Sequence, residues 1–186
     1  YIRDEQVRDM SLVRSRVRIP NVHWTIEDGV GIITIRSFSE QTMRFLNQAL
    51  EEFEGQDLNG LVLDLRNNGG GSMLQSCKVV DRFVTSGTTI KTVGRDGKPV
   101  SGLMKQYINR NSFTEPKLPM VVLINGNSAS ASEIVSGSLK LLDRALVIGQ
   151  RSYGKGVVQT AADLRGGDDP VALKLTIAQY LLMNDY

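Results

Sequence analysis

Met120-Val121-Val122-Leu123-Ile124 reads as a buried strand, and small, polar residues follow it where a helix should begin: Asn125-Gly126-Asn127-Ser128-Ala129-Ser130-Ala131-Ser132-Glu133-Ile134. A helix is expected over 131–142, and residues 145–149 read as the next strand. A second small-residue stretch follows that strand: Ser152-Tyr153-Gly154-Lys155-Gly156-Val157-Val158-Gln159. Strand, helix and strand in succession make one α/β unit. The same alternation elsewhere predicts an α/β domain around a largely parallel central sheet.

Upstream, Leu61-Val62-Leu63-Asp64-Leu65 is almost wholly apolar, as expected of a strand covered on both faces. It feeds Arg66-Asn67-Asn68-Gly69-Gly70-Gly71, and a helix is predicted from Ser72 to about Val84. Met73, Cys77, Val80 and Val84 share a face of that helix, which puts Cys77 in core packing. Before it, Ser39 reads as the N-cap of a helix over 40–54, with Met43, Leu46, Leu50 and Phe53 at helical spacing. Residues 12–19 alternate, with Val13, Ser15, Val17 and Ile19 on one face and Arg14, Arg16 and Arg18 on a solvated one. Strands are predicted at 23–27 and 31–36 across the turn Glu27-Asp28-Gly29, with His23 packed or on a wet edge. After a strand at 88–93 and a turn at 94–97, the polar segment through Arg110-Asn111 reads as an irregular excursion and a candidate lid. Residues 157–164 and 171–182 form a β-pair across Gly166-Gly167-Asp168-Asp169.

The 186 residues suffice for one domain with a sizeable core. A hydrophobic fraction of 41% without an apolar run of membrane-spanning length argues against a membrane span, and a net charge of +2 argues against nucleic acid. Cys77 is the single cysteine, so no internal disulfide can form. One Cys and one His cannot supply the usual zinc ligands. Residues 1–8 lack the apolar region of a signal peptide, and both ends read as cuts in a longer chain.

Serine needs a base to take its proton and donors for the oxyanion it creates. His23 is the only imidazole, in a strand far along the chain, so a Ser-His-Asp triad is disfavoured. Lysine can serve as base when burial lowers its pKa. Lys155, between glycines, sits where that can happen, and Gln159 can hold its amine without adding charge. Ser130 and Lys155 thus read as a nucleophile–base pair, the signature of a hydrolase core. Spacing alone also favours Ser130 with Glu133 as a capping box, and Ser128 could cap equally well, leaving one serine to cap and another to attack. Gly149-x4-Gly154-Lys155 nears a phosphate-binding P-loop, but Gly156 stands where Ser/Thr is needed and the following residues are β-like. Gly126-x-Ser128-x-Ser130 misses the nucleophile elbow, whose last residue is glycine.

With these residues in view, the chain resembles the catalytic core of carboxyl-terminal processing peptidases, the tail-specific Ser-Lys proteases. Three motifs carry the resemblance in order: Leu63-Asp64-Leu65-Arg66-Asn67-Asn68-x-Gly70-Gly71, Ser128 to Ile134, and Tyr153-Gly154-Lys155-Gly156-x-x-Gln159. The resemblance implies Ser130 as nucleophile, Lys155 as general base, Gln159 as its positioning partner, and the N–H groups of Gly70 and Ala131 as oxyanion hole. It also implies a ClpP/crotonase-like core of βαβ-type units in a spiral, with extra strands at both chain ends. The implied activity is endoproteolysis near accessible C-terminal tails of proteins or peptides, without metal or cofactor. A homo-oligomer or adaptor and an extracytoplasmic, periplasmic place go with it. A crotonase-like acyl-CoA enzyme and a non-catalytic scaffold are the alternatives on this fold. Three departures stand out: no PDZ domain precedes the core, so residues 1–19 are expected to follow one; Gly69 replaces the usual Pro or Ser; and the family's continuation after Ala178-Gln179-Tyr180 is missing.

Overall fold

Alternate residues of the parallel strands are buried in one layer: Ile33 and Ile35, Leu61 and Leu63, Met120 and Val122. They belong to a five-stranded sheet in a computed structural model of the chain. The model describes residues 20–100, 118–164 and 171–182, positions 11 and 13, and short strand segments at 2–3, 6–7 and 106–109. The first strands, β1 (Ile2–Arg3) and β2 (Gln6–Val7), form a small antiparallel ladder. The main sheet comprises β3 (Val22–Glu27), β4 (Val30–Ile35), β5 (Gly60–Asp64), β8 (Met120–Ile124) and β9 (Leu146–Gly149), in the order β3-β4-β5-β8-β9. β3 and β4 form an antiparallel hairpin; β4, β5, β8 and β9 run parallel. The hairpin turns on Asp28 and Gly29, both at positive φ, as the twist of a two-residue loop demands.

Three helices supply the crossovers: α1 (Thr42–Phe53), α2 (Met73–Asp81) and α3 (Ala131–Leu141). Their buried residues, among them Leu46, Val79, Val135 and Leu139, join Ile33, Leu63 and Val122 in one cluster. The helices therefore share a core with one face of the sheet, and Val62 on the other face is only half buried. Asp64 on that other face is buried, so the expectation of a strand covered on both sides holds in part. The helix α1 also starts later than predicted, after Gln41, because Thr42 Oγ1 accepts the Ser39 N–H at 2.8 Å and the Asn21 amide at 2.6 Å. The helix α2 begins after Ser72, which caps it by accepting the Gln75 N–H, and ends at Asp81, before the predicted Val84.

A second sheet has the order β10-β11-β6-β7, from β6 (Gly87–Val93), β7 (Gln106–Asn109), β10 (Val157–Leu164) and β11 (Val171–Leu181). The strand β7 lies within the stretch expected to be irregular; residues 101–105 and 110–117 on either side are outside the described part. So are Leu12 and residues 14–19; Val13 itself is 93% exposed rather than packed on an apolar face. Ile90 and Tyr180 of this sheet meet Cys77 of α2 and Ile134 of α3 in a smaller cluster, so α3 is gripped between two cores. His23 is exposed on the edge strand β3, as one of its two readings had it.

Candidate active site

Three loops leave the carboxyl ends of adjacent parallel strands: 65–71 after β5, 125–130 after β8 and 150–156 after β9. A crevice at that edge of a parallel sheet is where an α/β fold presents its chemistry. Each loop is sewn to its neighbour.

The first seam is made of asparagines. Asn67 N–H donates to Asn125 Oδ1 at 3.0 Å, while the Asn125 and Asn127 side-chain amides donate to Asn67 Oδ1 at 2.9 and 3.0 Å. Asn68, fully buried, donates to the Ile35 carbonyl at 2.8 Å, and its own carbonyl accepts the Ala129 N–H and the Ser132 hydroxyl. Every polar group of Asn68 is thus used, as burial requires. The following glycines allow close approach: a Cβ on Gly70, at φ +108°, would lie 2.9 Å from Ser130 Cβ, and Gly71 lies directly against the Phe38 backbone.

The three candidate serines have different fates. Ser128 is fully buried, donating to the Leu65 carbonyl at 2.8 Å and accepting the Asn125 N–H at 3.0 Å. Ser132, also fully buried, is bound to Asn68. Ser130 remains half-buried at the N-cap of α3 with φ 56° and ψ −111°, a backbone conformation that costs about 1–3 kcal/mol for a residue with a side chain. The placement is that of a capping box with Glu133. Ser130 N–H donates to Glu133 Oε2 at 2.7 Å, and Glu133 N–H donates to the Ser130 carbonyl at 2.9 Å. The sharp turn between strand and helix puts the hydroxyl at the helix mouth, an elbow-like device that the unmatched glycine pattern had hidden. Ala131 N–H, the first of the helix, has no partner among the described residues.

The second seam is Glu133. Its Oε1 accepts the Ser152 hydroxyl at 2.8 Å and the Gly154 N–H at 2.5 Å; its Oε2 accepts the Lys155 N–H at 3.0 Å besides that of Ser130. Burial raises the pKa of this carboxyl, but hydrogen bonds from Lys155, Gly154, Ser130 and Ser152 outweigh it and hold it below the ordinary value. Tyr180 closes the back of the site, its hydroxyl 3.5 Å from the Ser130 carbonyl and its N–H on Gly156. Burial, with Glu133 beside it, pushes this phenol up to about 12. A cleft of about 400 Å³ opens here, walled by Ile124, Val147, Tyr180 and Leu182 beside Glu133 and Gly154.

Of the predicted residues, Ser130, Ala131, Gly70 and the Lys155 main chain lie together, and Gln159 lies apart. The backbones of Ser130 and Lys155 meet at one oxygen, but the half-buried Lys155 amine has no partner among the described residues, and Gln159 is exposed, donating to Thr176 Oγ1 at 3.4 Å. The Gly70 N–H, beside Ser130, is engaged by Asn68 Oδ1 at 2.9 Å because the loop closes an Asx turn on itself. Glu133 and Tyr180 are the members that sequence reasoning missed; S-x-x-E signalled only a cap. No helix follows Gly156, so the P-loop geometry is absent, and no group of three or more potential metal ligands occurs among the described residues.

A strained serine at a helix mouth and a glycine-flanked lysine loop thus hang on one carboxylate at the carboxyl edge of an α/β sheet. Residues 29–186 match the profile of peptidase family S41, and the chain belongs to that family. It is 39% identical over 176 residues to a carboxy-terminal-processing protease of Bartonella bacilliformis, covering 92% of this chain and 39% of that one. A probable CtpA-like serine protease of Staphylococcus aureus is 32% identical over 180 residues, covering 96% and 35%. Among solved structures, a photosystem II D1 C-terminal processing protease superposes with a TM-score of 0.75 at 31% identity, over 91% of this chain and 45% of that one. A putative S41 protease of Bacteroides fragilis shares the fold, with a TM-score of 0.68 at 18% identity over 93% and 49% of the two chains. The chain therefore spans less than half the length of these relatives.

Proposed function

We propose that the chain is the catalytic core of a serine endopeptidase that cleaves proteins near accessible C-terminal tails through an acyl-enzyme. Ser130 attacks the scissile carbonyl, Lys155 as the neutral amine takes its proton and returns it to the leaving amine, and water then releases the acyl group. Ala131 N–H receives the oxyanion. Gly70 N–H joins it by leaving Asn68 Oδ1, since a charged acceptor outcompetes a neutral amide oxygen. Gln159 steadies the Lys155 amine once it turns from Thr176 toward the loop. The cleft beside Glu133 takes an apolar side chain of the substrate.

The observation that carries this reading is the strained Ser130, alone among the three serines in not being buried, with its backbone on the same carboxylate oxygen as the Lys155 backbone. The relatives' names support the substrate class, and the family resemblance supports an extracytoplasmic setting. Residues 1–186 act as one catalytic core.

The test is proteolysis of an unstructured protein with an apolar tail, from mildly acidic to alkaline pH. Ser130→Ala and Lys155→Ala abolish cleavage, Ser128→Ala does not, and activity rises as the lysine loses its proton. Cleavage surviving Ser130→Ala defeats the assignment.

A further inference from the structure

Glu133 is a carboxylate with all its acceptor capacity in use, and three of its four donors lie outside the helix it begins. Capping needs only the Ser130 N–H. The other three bonds, from Ser152, Gly154 and Lys155, tie down a loop of a different strand. One oxygen, Oε2, holds the backbone N–H of the candidate nucleophile at 2.7 Å and that of the candidate base at 3.0 Å, though the two residues lie 25 positions apart. We propose that Glu133 is the positioning residue of the Ser130–Lys155 pair, setting the distance between their main chains through the two backbone N–H groups it holds. The inference rests on the dyad reading above.

The bonding pattern explains why a carboxylate can stand here without defeating the base. A glutamate paired to the Lys155 ammonium would hold its proton in place. Here the lone pairs point to backbone N–H groups and a hydroxyl, so Glu133 fixes the lysine's main chain and makes no ion pair with its amine. The other ionisable groups around the carboxylate are the Tyr180 phenol, which stays neutral at working pH, and Lys140, across the same cleft. In Glu133→Gln one oxygen becomes an amide N–H₂ facing donors, so at least two of the four bonds are lost.

The experiment is the rate of Ser130 labelling by a fluorophosphonate across pH, on the full chain and on Glu133→Gln and Ser152→Ala. The plateau at high pH reports geometry, and the midpoint reports the Lys155 proton. Glu133→Gln is expected to lower the plateau by about 10- to 100-fold at a temperature where the variant remains folded, the scale of catalytic misplacement by about an ångström. Ser152→Ala, which leaves the three backbone bonds, lowers it by about two- to fivefold and carries the test should Glu133→Gln not fold. A plateau unchanged in the folded variants, with only melting temperature reduced, makes Glu133 a cap and overturns the proposal. A native chain that is never labelled at Ser130 sinks the dyad reading itself, a distinguishable outcome.

Discussion

At the scale of single residues, similar serines two positions apart have opposite duties because of what their backbones permit. Ser128 makes two buried hydrogen bonds, so Ser128→Ala should cost about 1–3 kcal/mol in denaturant unfolding while leaving Ser130 labelling within twofold of native. Ser130 stores strain instead. Ser130→Gly should raise stability by about 1 kcal/mol while abolishing cleavage, because glycine accepts its dihedral angles without penalty. A variant less stable than the native chain would show that the angles are relaxed. Gly70 lies against that strained turn: a Cβ there would meet the Ala129 carbonyl at 2.8 Å. Gly70→Ala is expected to lose about 100-fold or more in activity and about 2 kcal/mol in stability, read from labelling and denaturation of the same sample. The sequence offered Ser130 and Lys155 as a nucleophile and base by residue type, and Gly70 only through the family resemblance. It could not show that Gly70 donates to Asn68, since a turn closing on its own side chain leaves no periodic trace, nor that Gln159 faces Thr176.

At the scale of elements, the parallel strands and all three helices were legible because each has a strong apolar period or a breaker at its ends. The start of α1 was misplaced where Thr42, a poor helix former by type, accepts two hydrogen bonds that hold the preceding turn. The incomplete burial of Val62 was also illegible, since which sheet face the helices cover is decided by crossovers and not by the strand's composition. For α2 the predicted packing face gives a chemical consequence. Cys77 is fully buried between α2 and the second sheet, and burial pushes its thiol up to about 12, so it is protonated at neutral pH. Its reaction with a disulfide reagent should be negligible in native protein and should follow global unfolding when denaturant is added. Rapid reaction without denaturant would mean that α2 parts from the second sheet by local opening.

At the scale of the whole molecule, stability and site are tied through the same carboxylates. Burial raises Asp64 and Glu133, but Arg66 in the first case and four hydrogen-bond donors in the second bring both below their ordinary values of 3.8 and 4.5. A carboxyl depressed in the folded state stabilises it above the unfolded pKa, and this contribution is lost as pH falls through the folded value. The denaturation midpoint should therefore hold from neutral pH to about 5 and fall progressively below the ordinary carboxylate range, less steeply in Glu133→Gln. Equal acid slopes in the two proteins would contradict the bonding of Glu133. The edge strand β9 leaves Leu146 70% and Ile148 51% exposed just before the lysine loop, while the asparagine seam joins segments almost sixty residues apart. Those separations bear on biosynthesis. A nascent chain that has only reached β9 carries Ser130 with Lys155 not yet made and Glu133 not yet latched, so under the proposed dyad the pair assembles only after β9 is available to the parallel sheet.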